Sequence, residues 1–151
     1  MLEISTELLA RLLAEAAASP LVEVCGLLWG GEGRITRAER CRNVDPDPAR
    51  AFEIDPAALL AAYRAMRGGG PRLLGWYHSH PSGDATPSAR DAANAAPDGM
   101  IWLILAGSEA RAWRAVTDGM VEGRFDPVTL ALAACAPDGA SPRTPPSVKE
   151  R

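Results

Sequence analysis

The stretch Gly75-Trp-Tyr-His-Ser-His-Pro-Ser-Gly-Asp-Ala-Thr-Pro-Ser-Ala-Arg-Asp91 holds both histidines of the chain, His78 and His80, one residue apart. An apolar run from Arg72 to Ser79 reads as a strand. A Pro/Gly turn follows, and Thr86-Pro87 supplies a cap-plus-proline signal for a short helix through about Ala95. Met100-Ile-Trp-Leu-Ile-Leu105 is then continuously apolar and is the best candidate for the central strand. Strand, helix, strand in succession predicts a parallel crossover, so an α/β fold is expected.

Working outward, Ser5 to about Ala17 carries Ile4, Leu8, Leu9, Leu12, Leu13 and Ala16 at helical spacing, with Ser5 as cap and Ser19-Pro20 as stop. Val22–Trp29 reads as a buried strand. Gly30–Gly33 is a turn, and Arg34–Val44 a second strand antiparallel to the first. After the loop Asp45-Pro-Asp-Pro48 comes a short strand, Ala51–Ile54. Asp55-Pro56 opens a helix to about Arg67, closed by Gly68–Gly70. Arg111–Val116 and Val121–Phe125 form a hairpin or meander across Thr117-Asp-Gly119. Pro127–Ala136 is ambiguous between helix and strand. The expected architecture is a single mixed β-sheet flanked by helices, one domain over residues 1–136. Residues 137–151, rich in Pro and Ser, are expected to be a disordered tail.

Composition narrows the function. The chain has 151 residues and a net charge of −3. Its arginines are scattered rather than gathered in a basic stripe, which argues against nucleic acid as partner. No apolar run reaches membrane-spanning length. The N-terminus shows no signal-peptide pattern, and the three cysteines, Cys25, Cys41 and Cys135, are odd in number and widely spaced. A reducing cytoplasm suits them better than a disulfide framework.

On a strand, residues i and i+2 point the same way, so both imidazoles emerge side by side. Ser88 and Asp91, three apart, share a helix face, and the Pro81–Pro87 loop folds that helix back over the strand end. Two histidines and one carboxylate can then converge on one ion, the open tetrahedral pattern of catalytic zinc. The competing reading is a polar strand end with Asp91 complementing the helix dipole. Glu23 bears on the choice. A carboxylate among apolar neighbours is costly unless paired, protonated or facing water. Its functional reading is a general base of raised pKa beside an ion-activated water. Ser88 would donate to the oxyanion. Cys25, two residues on, offers a cysteine–histidine nucleophile, but buried cysteines usually only pack. Asp84 and Ser82 read as turn formers.

These residues carry a resemblance. His78-x-His80-Pro81, six residues, Ser88, two residues, Asp91 is similar to the signature of the JAMM (MPN+) zinc metalloproteases. Pro20-Leu-Val-Glu23-Val-Cys25-Gly26-Leu27-Leu28 resembles the segment carrying that family's catalytic glutamate. The resemblance covers roughly residues 1–125. It implies a cytidine-deaminase-like sheet with one zinc ion per chain on His78, His80 and Asp91. Glu23 would be the base and Ser88 the residue that steadies water and oxyanion. The long insertions with which eukaryotic members grip ubiquitin chains are missing. Small bacterial members resemble enzymes acting on ubiquitin-like sulfur carriers of the ThiS/MoaD type, cleaving after the carrier's C-terminal Gly-Gly or releasing cysteine from a carrier adduct. A diglycine tail, without side chains, can lie extended in a narrow groove, to which Trp29, Trp76 and Tyr77 are candidate supports. The alternatives are a non-catalytic module binding such a partner, and a zinc amidohydrolase of small molecules. The second lacks the expected Cys-x-x-Cys pair.

Overall fold

A computed structural model describes residues 1–134. Its elements run β1 (Leu2–Ser5), α1 (Thr6–Ala17), β2 (Cys25–Gly31), β3 (Arg34–Cys41), α2 (Pro56–Arg67), β4 (Arg72–Ser79), α3 (Ala89–Asn94), β5 (Ile101–Ala106), β6 (Glu109–Gly119), β7 (Gly123–Val128) and β8 (Leu130–Ala133). The strands form one sheet in the order β7-β6-β5-β4-β2-β3-β1-β8. β4 and β5 are parallel, joined through α3, and β2 is antiparallel to both β3 and β4. The expected mixed sheet with helices on its faces is therefore present. The expected domain limit and tail lie outside the described residues.

Helix α1 covers one face. Leu8, Leu9 and Leu13 pack there against Leu28, Tyr77, Leu103 and Leu105, and Leu12 is fully buried. Burying such a leucine stabilises the fold by about 1.5–3 kcal/mol. The other face lies under α2 and α3. Cys25, Leu27 and Leu73 meet Ala58, Leu59 and Met66 of α2, while Trp102, Trp113 and Phe125 form a neighbouring apolar cluster. Gly26 lets β2 pass Tyr77: a Cβ there would stand 2.5 Å from the tyrosine Cε1.

Several sequence expectations shift. Ile4 lies not on the helix face but in β1, parallel to β3 and β8. Its alternation with Leu2 is too short to signal a strand, and its partners are far away in sequence. Ala51–Ile54 is not a strand; only an isolated bridge joins Ile54 to Asn43. β3 ends at Cys41 and β2 begins at Cys25. β5 is buried at all six positions but is third from the β7 edge, so the central pair is β4 and β2. The hairpin turns at Met120–Glu122 rather than at Thr117–Gly119, with Glu122 at φ 53°. The ambiguous segment, as far as it is described, resolves into the end of β7 and the edge strand β8, and residues 135–136 lie outside the described residues. Pro127 is tolerated because β7 is the opposite edge.

Candidate metal centre

β4 ends where the chemistry begins. Its pleat sends Trp76, His78 and His80 to the α2/α3 face, and Tyr77 and Ser79 to the α1 face. The loop after β4 is pinned over the sheet by the Trp113 indole, whose Nε1 donates to the Ala85 carbonyl at 2.9 Å. That fixes α3. Its N-cap is Ser88, not Thr86: Ser88 Oγ accepts from the Asp91 N–H at 3.0 Å, and Asp91 Oδ2 accepts from the Ser88 N–H at 2.9 Å. This reciprocal cap aims the Asp91 carboxylate back at the strand end.

Asp91 Oδ2 lies 3.2 Å from His78 Nε2 and 3.1 Å from His80 Nε2, and the two Nε2 atoms are 3.1 Å apart. Three ligands at zinc's bond lengths of about 2.0–2.1 Å stand about 3.3 Å apart in a tetrahedron, so the triangle fits one ion. The tautomer of His80 fits too. Its Nδ1 is 2.7 Å from the Asp84 carbonyl, which can only accept, so Nδ1 holds a proton and Nε2 is the nitrogen turned to Asp91, a donor to it when protonated and a ligand when neutral. Asp84 also forms the expected turn, accepting from the Thr86 N–H. His78 is fully buried, with Phe52 stacked on its ring at 4.2 Å and Trp102 edge-on at 5.7 Å.

Glu23 joins this group. It sits in the segment just before β2, not within the strand, yet its carboxylate and the ligand atoms of His78, His80 and Asp91 all lie within 4.8 Å of one another. The segment is held from both sides: the Glu23 N–H donates to the Pro48 carbonyl, and the Glu23 carbonyl accepts from Asn43 Nδ2 at 2.9 Å. Oε1 of Glu23 is buried without a partner. Together the four side chains are a His-His-Asp-Glu group compatible with a metal site.

The electrostatics separate the members. Burial pushes the Glu23 carboxyl up to about 7, against the pull of His80 and with the push of Asp91 and Asp45. For Asp91 burial works the same way. The hydrogen bonds from His78 and His80 overcome it and hold that carboxyl well below the usual range. Burial lowers His78. It opposes protonation of His80 as well, but the Asp91 and Asp84 hydrogen bonds raise that imidazole overall. One carboxylate is thus a fixed anion and the other is poised to exchange a proton near neutrality.

The remaining candidates fall elsewhere. Cys25 is buried beneath α2 and its thiol is pushed up to about 12 by burial, which leaves it protonated and unsuited to nucleophilic attack. Tyr77 belongs to the opposite face, where its hydroxyl donates to Glu15 Oε2. Trp29 packs near α2 with its Nε1 donating to Glu39. Trp76 alone of the three aromatic candidates lines the cavity next to the site.

Two residues to which sequence reasoning gave no role at the site help to build it. Asn43 donates to the Glu23 and Ala51 carbonyls and accepts from the Asp45 and Glu53 N–H groups, tying the 43–53 loop to the glutamate. Phe52, on that loop, walls off His78. The Asn-Val-Asp-Pro turn signature at 43–46 is the one local hint of the first.

The chain is similar in sequence and fold to known proteins. A desampylase of Haloferax volcanii is 38% identical over 91 residues, 59% of this chain and 66% of that protein. A probable TtuB-protein conjugate cleaving protease of Thermus thermophilus is 47% identical over 64 residues, 42% of this chain and 43% of that protein. The alignments thus span just under two thirds and under half of these relatives. The solution structure of a Desulfitobacterium hafniense protein superposes with a TM-score of 0.75 at 29% identity, covering 89% of this chain and 94% of that one. A JAB1/MPN domain protein of Archaeoglobus fulgidus shares the fold, with a TM-score of 0.54 at 17% identity over 88% of this chain and 97% of that one. The family model described as prokaryotic homologs of the JAB domain matches residues 5–116, a span that includes all five candidate site residues, and the chain belongs to that family.

Proposed function

We propose that this chain is a zinc-dependent peptidase or isopeptidase that hydrolyses the amide bond after the C-terminal Gly-Gly of a ubiquitin-like sulfur carrier of the ThiS/MoaD type. Release of cysteine from a carrier adduct falls within the same chemistry. The observation that carries the reading is the convergence of Glu23 with His78, His80 and Asp91 within 4.8 Å. The relatives named for cleaving ubiquitin-like conjugates support the substrate class.

In this reading His78, His80 and Asp91 hold one ion. When bound, zinc would acidify a water and polarise the scissile carbonyl. Glu23 takes a proton from the attacking water and delivers it to the leaving amine, a task suited to a carboxyl poised near 7. The Ser88 hydroxyl accepts from the Asp91 N–H, so its own proton can be donated to the tetrahedral oxyanion. His80 is kept in the ligating tautomer by the Asp84 carbonyl, and Phe52 keeps water from His78. A cytoplasmic setting belongs to the same reading: Cys25 and Cys41 face each other across β2 and β3 as free thiols, which suits a reducing compartment.

The test is cleavage of carrier–peptide fusions ending Gly-Gly-X, read by mass spectrometry. Scission after Gly-Gly that is lost in Glu23→Gln supports the peptidase. Binding of the carrier without scission, in protein with a full complement of zinc, would make the chain a docking module instead.

A further inference from the structure

The loop between β4 and α3 carries a support of the metal centre, yet little of it is enclosed. From Pro81 to Pro87 only Ala85 and Pro87 are buried, and Ser82, Gly83 and Asp84 are exposed. Asp84 is nonetheless the residue whose carbonyl accepts from the His80 Nδ1–H at 2.7 Å. Groups behind a ligand fix its ring, so a carbonyl on a loose loop would leave His80 free to turn. The loop needs an anchor outside itself.

That anchor is on β6, two strands from β4. His78 pairs with Ile104 of β5, and Ile104 with Arg111 of β6, so Arg111 stands in the row of His78 on the same face of the sheet. Trp113, two residues on, shares that face, and its Nε1–H donates to the Ala85 carbonyl at 2.9 Å in a buried position. Arg111 adds two contacts. Its guanidinium lies over the Trp113 ring, 4.6 Å from the centroid, and its Nη1 donates to Thr86 Oγ1 at 3.4 Å. The Thr86 N–H donates in turn to Asp84 Oδ1 at 3.0 Å. A cation over an aromatic ring is common packing on its own. The threonine contact and its continuation tie this one to the site: a line of hydrogen bonds runs from Arg111 through Thr86 and Asp84 to His80, with the Trp113–Ala85 bond beside it.

We propose that Arg111 and Trp113 are positioning residues, a brace on β6 that holds the Asp84 carbonyl against His80 and so sets how tightly the centre holds its ion. They touch neither ion nor substrate and act through the loop. The assignment rests on the metal reading above and extends it to a strand that supplies no ligand.

The experiment measures zinc affinity of the full-length protein by competition with a chromophoric chelator. Arg111→Met, at an exposed position, should bind zinc about threefold more weakly, and Thr86→Val similarly. The double variant should lose no more than the larger single loss, because both cut the same line. Trp113→Phe, which removes the indole donor, should lose about tenfold. Phe125→Leu is its control: it loosens the same apolar cluster without a hydrogen bond to the loop, and should keep native affinity. Native affinity in both Arg111→Met and Thr86→Val overturns the proposal, as do losses that add in the double variant. An equal loss in Phe125→Leu also overturns it, since general loosening would then suffice. If the native protein takes up no zinc, the metal reading fails by itself, and the brace is judged by amide hydrogen exchange in the metal-free protein. Faster exchange at Asp84–Thr86 in Arg111→Met, with β5 unchanged, supports it; native exchange there overturns it.

Discussion

The two faces of β4 are built from the same eight residues to opposite ends. Towards α1, Tyr77 is fully buried with its hydroxyl on Glu15, and Ser79 Oγ accepts from the Val24 N–H at 2.9 Å. Both buried polar side chains that β4 sends that way have a partner. Towards α2 and α3, His78 Nδ1, the Trp102 indole N–H and Glu23 Oε1 are buried with none. Of the four such atoms among the described residues, three are in this one place; the fourth is Arg124 Nε. Unpartnered buried polar atoms cost about 1–3 kcal/mol each, so a fold tolerates a cluster of them where something other than stability is served. One face holds the sheet together, and the other keeps its polar groups available.

The sharpest way to break that contrast is Glu23→Gln. The amide keeps the shape and removes the base. The expected outcome is a loss of about 10²–10⁴ in kcat with zinc content unchanged, measured by single-turnover cleavage and metal analysis. A variant that cleaves as fast as the native protein would show that Glu23 is only a buried carboxylate. A second consequence needs no substrate. Burial raises the Glu23 carboxyl from 4.5 to about 7 in the folded protein, so folding favours its neutral form. That contribution is present below pH 4.5 and is lost as pH rises through about 7. Asp91, held low, works the other way: its contribution is present above its ordinary range and lost in acid. Metal-free Glu23→Gln should therefore melt higher than the native metal-free protein at about pH 8 and alongside it at about pH 4. Equal melting temperatures at both would contradict the raised carboxyl.

Much of this contrast could be read from the chain. His78 and His80 at strand spacing, and Ser88 and Asp91 at capping spacing, are local patterns, and local geometry alone turns them towards one another. Glu23 announced itself as a carboxylate in apolar company, although the strand it was assigned to begins two residues later. What stayed hidden depended on pairing across distance. Strand β1 is held by β3 and β8, neither of them its neighbour in sequence, and four residues carry too little alternation to signal it. Asn43 reads as a turn residue, since nothing nearby in sequence shows that its amide ends on Glu23. The orientation of Tyr77, grouped with Trp76 as a groove support, follows from the pleat once the strand's register is known.

Asn43 tests how far the available face depends on its support. Asn43→Ala removes four hydrogen bonds that fix Glu23 and the Phe52 loop. Stability should fall by about 2–3 kcal/mol, and kcat roughly tenfold with KM little changed, because a loosened base costs the chemical step rather than binding. Asn43→Asp keeps the two acceptor bonds and loses the two donated ones, so it should be no better than alanine for kcat. If both variants retain native kcat while losing stability, Asn43 braces the fold and not the base.

Ser79→Ala probes the satisfied face, one residue along from His78. The serine hydroxyl is the acceptor for the Val24 N–H in a fully enclosed position, and Val24 is the neighbour of Glu23. Removing it leaves a buried donor unpaired and should cost about 1–3 kcal/mol in denaturant unfolding. The backbone there is also held by the Ser79 N–H to Val24 carbonyl bond, which the substitution keeps. Glu23 should therefore stay in register, with kcat/KM within about twofold of native and zinc retained. A large kinetic loss at native stability would mean that the two faces are coupled through Val24, and that the partnered side of β4 sets the position of the base.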